Sequence, residues 1–203
     1  MTTRTHTKGM TLVELLVTVA LFTLMMLVIT NGIAAMYKYN AYTFAQAYQV
    51  ENARNGMQEL IRDIREMTFA DNGTFPLAEM EPHLIGFYSD IDRDDSVEYV
   101  RYELVASTTL TKRVFNATGT PPTYNLTTPD ESITLSQHVQ NFTMGSSTFR
   151  YYDQSGGEVT TLAGLTDVRY IVAEIIVNID PVRDPGQFML RSSATLRNIK
   201  ENI

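Results

Sequence analysis

From Leu15 to Tyr37 no charged residue interrupts an apolar run of about 23 residues, long enough to cross a hydrocarbon core near 30 Å thick. Apolar residues then recur at helical spacing at Ile33, Tyr37, Ala41, Phe44, Tyr48, Ala53, Met57, Leu60, Ile64 and Met67, and the first proline is Pro76. The spacing predicts one helix from about Thr11 to Thr68, on the order of 85 Å long at 1.5 Å per residue. Its second half, Glu51 to Glu66, is charged on one face and apolar on the other, which suits a helix with a β-domain against one side. Asn31-Gly32 and Asn55-Gly56 are its expected weak points, each glycine costing about 1 kcal/mol relative to alanine.

After Pro76 the period changes to two. Glu98 to Ala106 alternates and reads as a strand, with Thr108 to Phe115 as its hairpin partner. Ile133 to Leu135, Val139 to Met144 and Thr148 to Tyr152 read as further short strands, and Asp153 to Gly157 as a turn. Val168 to Ile179 is long and β-branched and is expected to pair with Gln187 to Leu196 across the connection Asp180 to Gly186. The expected fold class is α+β, a long N-terminal helix packed on a C-terminal antiparallel β-domain.

Charge orients this plan. Arg4 and Lys8 precede the apolar run and an acidic domain follows, with a net charge of −7 over 203 residues. The positive-inside rule keeps the N-terminus cytoplasmic and the remainder outside, a single pass of the inner membrane. An ordinary secretory signal has a shorter apolar region followed by a small-residue cleavage site, whereas here the run continues into an amphipathic helix. The acidic balance, with no basic stripe, argues against nucleic acid as a partner. With no cysteine, disulfides and thiolate-bound zinc are excluded. Roughly 140 residues are left for a soluble domain, enough for one self-supporting core.

One carboxylate, Glu14, stands at the start of the run, in Lys8-Gly9-Met10-Thr11-Leu12-Val13-Glu14. A buried glutamate is unfavourable in hydrocarbon unless a positive group meets it. This stretch resembles the prepilin processing motif of the type IV filament superfamily: a glycine, an apolar residue, Thr-Leu, an aliphatic residue and glutamate. The resemblance implies cleavage between Gly9 and Met10 by prepilin peptidase and methylation of the new amine on Met10. It also implies an assembly role for Glu14, paired with a neighbouring subunit's N-terminal amine. Met10 departs from the commoner phenylalanine. Asn31 stands where many major pilins have a proline, which favours a minor subunit.

Farther along, Arg62-Asp-Ile-Arg65, Phe87 to Asp92, Leu110 to Arg113, Phe149 to Asp153, the valine-rich hairpin and Leu196-Arg-Asn198 are similar to the J-type minor pseudopilins of type II secretion and the PilW-type minor pilins. That likeness implies a subunit of a filament-initiating tip complex, with other pilins or pseudopilins as partners. Glu14 itself argues against the K-type tip pseudopilin, which usually lacks it. The implied division is a leader at 1–9, a membrane and assembly helix at 10–37, an amphipathic continuation at 38–68 and an outer β-rich domain at 69–203.

Little else points to chemistry. Asp90, Asp92, Asp94 and Glu98 place oxygens at alternate positions, as the start of a calcium loop does. The sixth position is Asp95 instead of glycine and the twelfth Arg101 instead of glutamate, so a solvated turn is the better reading and calcium the alternative. His6, His83 and His138 are scattered. There is neither a Gly-x-Ser-x-Gly elbow nor a glycine-rich phosphate loop, and no catalytic residue or cofactor is expected. Tyr37, Tyr39, Tyr42 and Tyr48 read as an interfacial aromatic band. Asn72, Asn116, Asn125 and Asn141 begin Asn-x-Thr sequons by chance of composition. Set against the filament subunit are a permanently anchored surface binding protein or adhesin and, further off, a tethered enzyme.

Overall fold

In a computed structural model of the protein the described residues are 9–94, 96–182 and 186–196. Arg4, His6, Lys8, Asp95, part of the 180–186 connection and Arg197-Asn198 lie outside them. The chain opens on one α-helix, α1 (Leu12–Glu66), and every strand pairing that follows is antiparallel, so the fold is α+β. The helix passes through Gly32 and Gly56 without a break. The chain forms two compact units, the first ending at Phe44 and the second starting at Ala45.

In the first unit residues 9–41 are all exposed. The most apolar window of α1 has a mean hydropathy of 2.6, and none of it is buried. By length and composition this helix can cross a membrane. Its threonines satisfy their own hydroxyls: Thr18 Oγ1 donates to the Leu15 carbonyl at 2.8 Å and Thr30 Oγ1 to the Met26 carbonyl at 2.8 Å. A hydroxyl closed onto its own helix tolerates an apolar solvent.

In the second unit the rest of α1 lies against the β-structure. Ala53, Met57, Leu60, Ile61 and Ile64 are buried, at the i, i+4, i+7, i+8 and i+11 positions of one helical face. The main sheet is a meander: β1 (Leu77–Glu81), β2 (Leu84–Ser89), β3 (Glu98–Val105), β4 (Thr109–Phe115) and, after the short pair β5 (Ala117–Thr118) and β6 (Thr123–Tyr124), β7 (Glu131–Ser136). A second sheet has β8 (Phe149–Tyr152), β9 (Tyr170–Val177) and β10 (Phe188–Thr195), with β9 central. The predicted β3–β4 and β9–β10 hairpins form, with Arg101 opposite Arg113 and Ile175 opposite Leu190. The β1–β2 hairpin was not anticipated. Pro82-His83 reads as a break, and Gly86 weakens the second strand. A Cβ on Gly86 would overlap the Tyr99 hydroxyl, so the glycine is what lets this tyrosine lie across the sheet.

The strand expected at Val139 to Met144 is absent. Val139 makes a single bridge to Val177, and turns follow. The reason is Asn141, whose side chain replaces a strand's backbone. Its Oδ1 accepts from the Ile176 N–H at 2.8 Å and its Nδ2 donates to the Glu174 carbonyl at 2.8 Å. The backbone of Gln140 still donates to the Ile176 carbonyl, and beyond it the Asn141 amide takes over the next two ladder groups of β9, so the main chain is free to turn. Gln46 of α1 does the same at the end of β9, donating to the Val177 carbonyl at 3.3 Å and accepting from the Ile179 N–H at 3.0 Å.

Polar groups also fix the helix to the main sheet. Asp63, 1 % exposed, accepts from Tyr102 Oη at 2.7 Å and pairs with Lys112 Nζ at 2.7 Å. Lys112 is 4 % exposed and reaches Glu59 at 2.7 Å as well. Burial pulls the Lys112 pKa down, but hydrogen bonds to Asp63 and Glu59 outweigh it and the net shift is upward. Near this junction Gly56 is obligatory: a Cβ there would stand 2.9 Å from Leu135 Cβ of β7. We predict that Asp63→Leu destabilises the protein by about 3 kcal/mol, because it leaves buried Lys112 with Glu59 alone and the Tyr102 hydroxyl without its acceptor, and that adding Lys112→Met recovers part of the loss. Denaturant unfolding of the full chain in detergent measures both; a double variant no better than the single one would refute the pairing.

Candidate functional site

The residues expected to be processed, Gly9 and Met10, stand just before α1 begins. Thr11 Oγ1 accepts from the Glu14 N–H at 3.3 Å, and the Leu15 N–H donates to the Thr11 carbonyl at 3.1 Å. Thr11 is thus the N-cap and Glu14 the N3 residue, the Thr-x-x-Glu spacing of a capping box. Sequence reasoning noted Thr11 only within the processing motif; the spacing to Glu14 was the signal for its capping role. A carboxylate in the first turn is also favoured by the helix dipole. Gly9, Met10 and Glu14 are all exposed, and nothing lies within 4 Å of where a Cβ on Gly9 would stand. Nothing in the fold of the described residues therefore demands glycine at position 9.

The acidic segment between β2 and β3 is more organised than a solvated turn. Asp90 Oδ1 accepts from the Arg93 N–H at 2.7 Å, Asp92 Oδ1 from the Asp94 N–H at 3.3 Å and Asp94 Oδ1 from the Ser96 N–H at 2.9 Å. Arg93 takes a φ of 63° to make this turn. The loop is tied down at Val97, whose N–H donates to Asp71 at 3.1 Å and whose carbonyl accepts from Tyr124 at 2.8 Å. Buried Glu98 accepts from the Ile91 N–H at 2.9 Å. As a result carboxylate oxygens of Asp90, Asp92 and Glu98 lie within 4.8 Å of one another. Asp94 is not part of that group. Burial pushes the Glu98 carboxyl up to about 7; the Ile91 hydrogen bond opposes this, while the charges of Asp92 and Asp90 add to it.

The described histidines, His83 and His138, are not part of this cluster. His83 Nδ1 lies 3.1 Å from Thr148 Oγ1, with its ring against Phe142, and burial lowers its pKa. Three of the sequons have structural roles that explain their asparagines. Asn141 is fully buried in the bonds given above, Asn72 Oδ1 accepts from the Thr74 N–H at 3.0 Å, and Asn125 Oδ1 accepts from the Thr127 N–H at 3.1 Å. Of the tyrosine band, Tyr37, Tyr39 and Tyr48 are exposed and Tyr42 is buried.

Comparison with known families places the N-terminus. Residues 4–30 match the family of the prokaryotic N-terminal methylation motif. The segment that holds Gly9, Met10, Thr11 and Glu14 is thus a prepilin-type signal of the type IV pilin kind, which points to a structural subunit rather than an enzyme. No curated protein and no solved structure matches the chain.

The carboxylate cluster has a pH signature. A carboxyl raised in the folded state contributes stability below its unfolded pKa, and this is lost as pH rises through about 7, where Glu98 ionises. In chelator, the melting temperature of the wild type should therefore fall between about pH 5 and pH 7.5 relative to Glu98→Gln, which keeps the shape and cannot ionise. Parallel melting curves across that range would show that Glu98 is not held protonated.

Proposed function

We propose that the protein is a minor pilin or pseudopilin, a structural subunit of a type IV pilus or type II secretion pseudopilus. The observation that carries this is the methylation motif over residues 4–30, running directly into an exposed apolar helix. Residues 1–9 are the leader, removed by prepilin peptidase after Gly9, and the new N-terminus on Met10 is methylated. The open surroundings of Gly9 support this, since a glycine the fold does not need is one that a protease's substrate groove does. Residues 10–37 are held in the inner membrane, with the N-terminus inside and residues 69–203 outside; residues 38–68 continue the helix.

Assembly then rests on Glu14. Exposed in the single chain, it becomes a charge in an apolar helix bundle once subunits associate, and a neighbour's N-terminal amine is the partner that offsets the cost. The unbroken helix through Asn31, where major pilins commonly carry proline, and the J-type or PilW-type pattern of the β-domain support a minor, tip-initiating subunit. Its partners are other pilins or pseudopilins met through the N-terminal helix.

Mass spectrometry of the protein from its native membrane should find a chain beginning at methylated Met10. A chain beginning at Met1, or cut beyond Met36, would overturn the reading. Glu14→Ala should still insert in the membrane but appear in sheared filaments at about a tenth of the wild-type level or less, the equivalent of about 1.4 kcal/mol per subunit. Incorporation at the wild-type level would remove the pairing role of Glu14 and leave the processing site standing.

A further inference from the structure

The acidic loop of the second unit is unexplained by filament assembly. Three carboxylates, of Asp90, Asp92 and Glu98, gather oxygens within 4.8 Å of one another, and one of the three is buried. Among the described residues no side-chain cation pairs with any of them. Arg93, the basic residue of the loop, turns to Glu66 instead, at 3.5 Å. Once all three are ionised, like charges at this range repel, and either a proton on one of them or a cation between them relieves the repulsion.

A second observation comes from the strand beneath. Ser89 is 0 % exposed, and its Oγ has no hydrogen-bond partner among the described residues. It stands directly opposite Glu98 in the β2–β3 ladder. Cross-strand partners carry their side chains on the same face with Cβ atoms about 4.5–5.5 Å apart, so the orphan hydroxyl shares the face of the ladder that carries Glu98. A buried hydroxyl with no protein partner, beside three converging carboxylates, is an oxygen donor set in search of a cation.

We infer that Ser89, Asp90, Asp92 and Glu98 form a divalent cation site selective for calcium. The donors are all oxygens, which excludes the nitrogen- and sulfur-preferring metals. Three carboxylates that can each bind through one or two oxygens, on a loop that adjusts, suit the six to eight ligands and irregular geometry of calcium better than the strict octahedron of magnesium. Bound calcium would tie the loop to the start of β3 and the end of β2, stiffening the surface the β-domain presents at this edge. The site differs from the calcium-loop pattern in its sequence. Asp94 lies outside the converging group, and Ser89, which precedes the motif, takes a place in the set.

The test is calorimetric titration of the full-length protein in detergent with calcium chloride at pH 7.5, together with melting curves in calcium and in chelator. One saturable site with a Kd of about 0.1–1 mM, and a melting temperature higher in calcium than in chelator, is expected. Asp92→Asn, at an exposed position, should weaken binding about tenfold or more, the loss of one charged ligand. Ser89→Ala should weaken it severalfold while leaving the melting temperature in chelator unchanged or higher, because it removes an orphan hydroxyl. No heat up to about 5 mM calcium, well above that range, would overturn the site. So would wild-type affinity in Asp92→Asn, or the same stabilisation by sodium chloride at matched ionic strength. Equal affinity for magnesium chloride would overturn the calcium selectivity.

Discussion

A carboxylate that is almost wholly buried, Asp63, is the interaction on which the second unit depends. Its two oxygens are met by Tyr102, Lys112 and Arg62, so the desolvation of a charge within a helix face is offset by one full ion pair and hydrogen bonds from two strands. The apolar stripe Ala53, Met57, Leu60 and Ile64 brings helix and sheet together without specifying where along the helix they meet. Asp63 against Tyr102 and Lys112 supplies that register, and the close approach of Gly56 to Leu135 holds it from the other side.

The other notable carboxylates lack such answers, and their different settings give them different meanings. Glu14 lies in the first turn of α1, where the capping geometry of Thr11 and the dipole suffice for a lone helix in water. They do not neutralise its charge in an apolar bundle, and in the assembly we propose a neighbouring subunit's N-terminal amine takes that part. Asp90, Asp92 and Glu98 are gathered by the folded chain itself, with backbone amides of the loop engaged and no side-chain cation paired with them among the described residues. In a chain with a net charge of −7, both are places where negative charge is arranged without a side-chain cation paired to it among the described residues.

Much of the fold was legible because it is local. The periods of 3.6 and 2 located α1, the β3–β4 hairpin and the β9–β10 hairpin, and the motif at Gly9 to Glu14 is a contiguous string read by its own order. What was missed involves residues whose role is set by a distant partner. Asn141 resembles any strand residue until Ile176 and Glu174 are beside it. Pro82 and Gly86 disguise the β1–β2 hairpin until Tyr99 is seen filling the space above the glycine.

The amino-acid sequence by itself determined the helix, its apolar first half and the processing motif, since each depends on neighbours within a few turns of the same chain. Only the tertiary structure decided which acidic residues act together. It set Asp94 aside, brought Glu98 to Asp90 and Asp92, and placed Ser89 across from them. The physical reason is that spacing along a loop does not set distances between side chains. Those distances come from strand register and burial, which the chain acquires only when β2 and β3 pair.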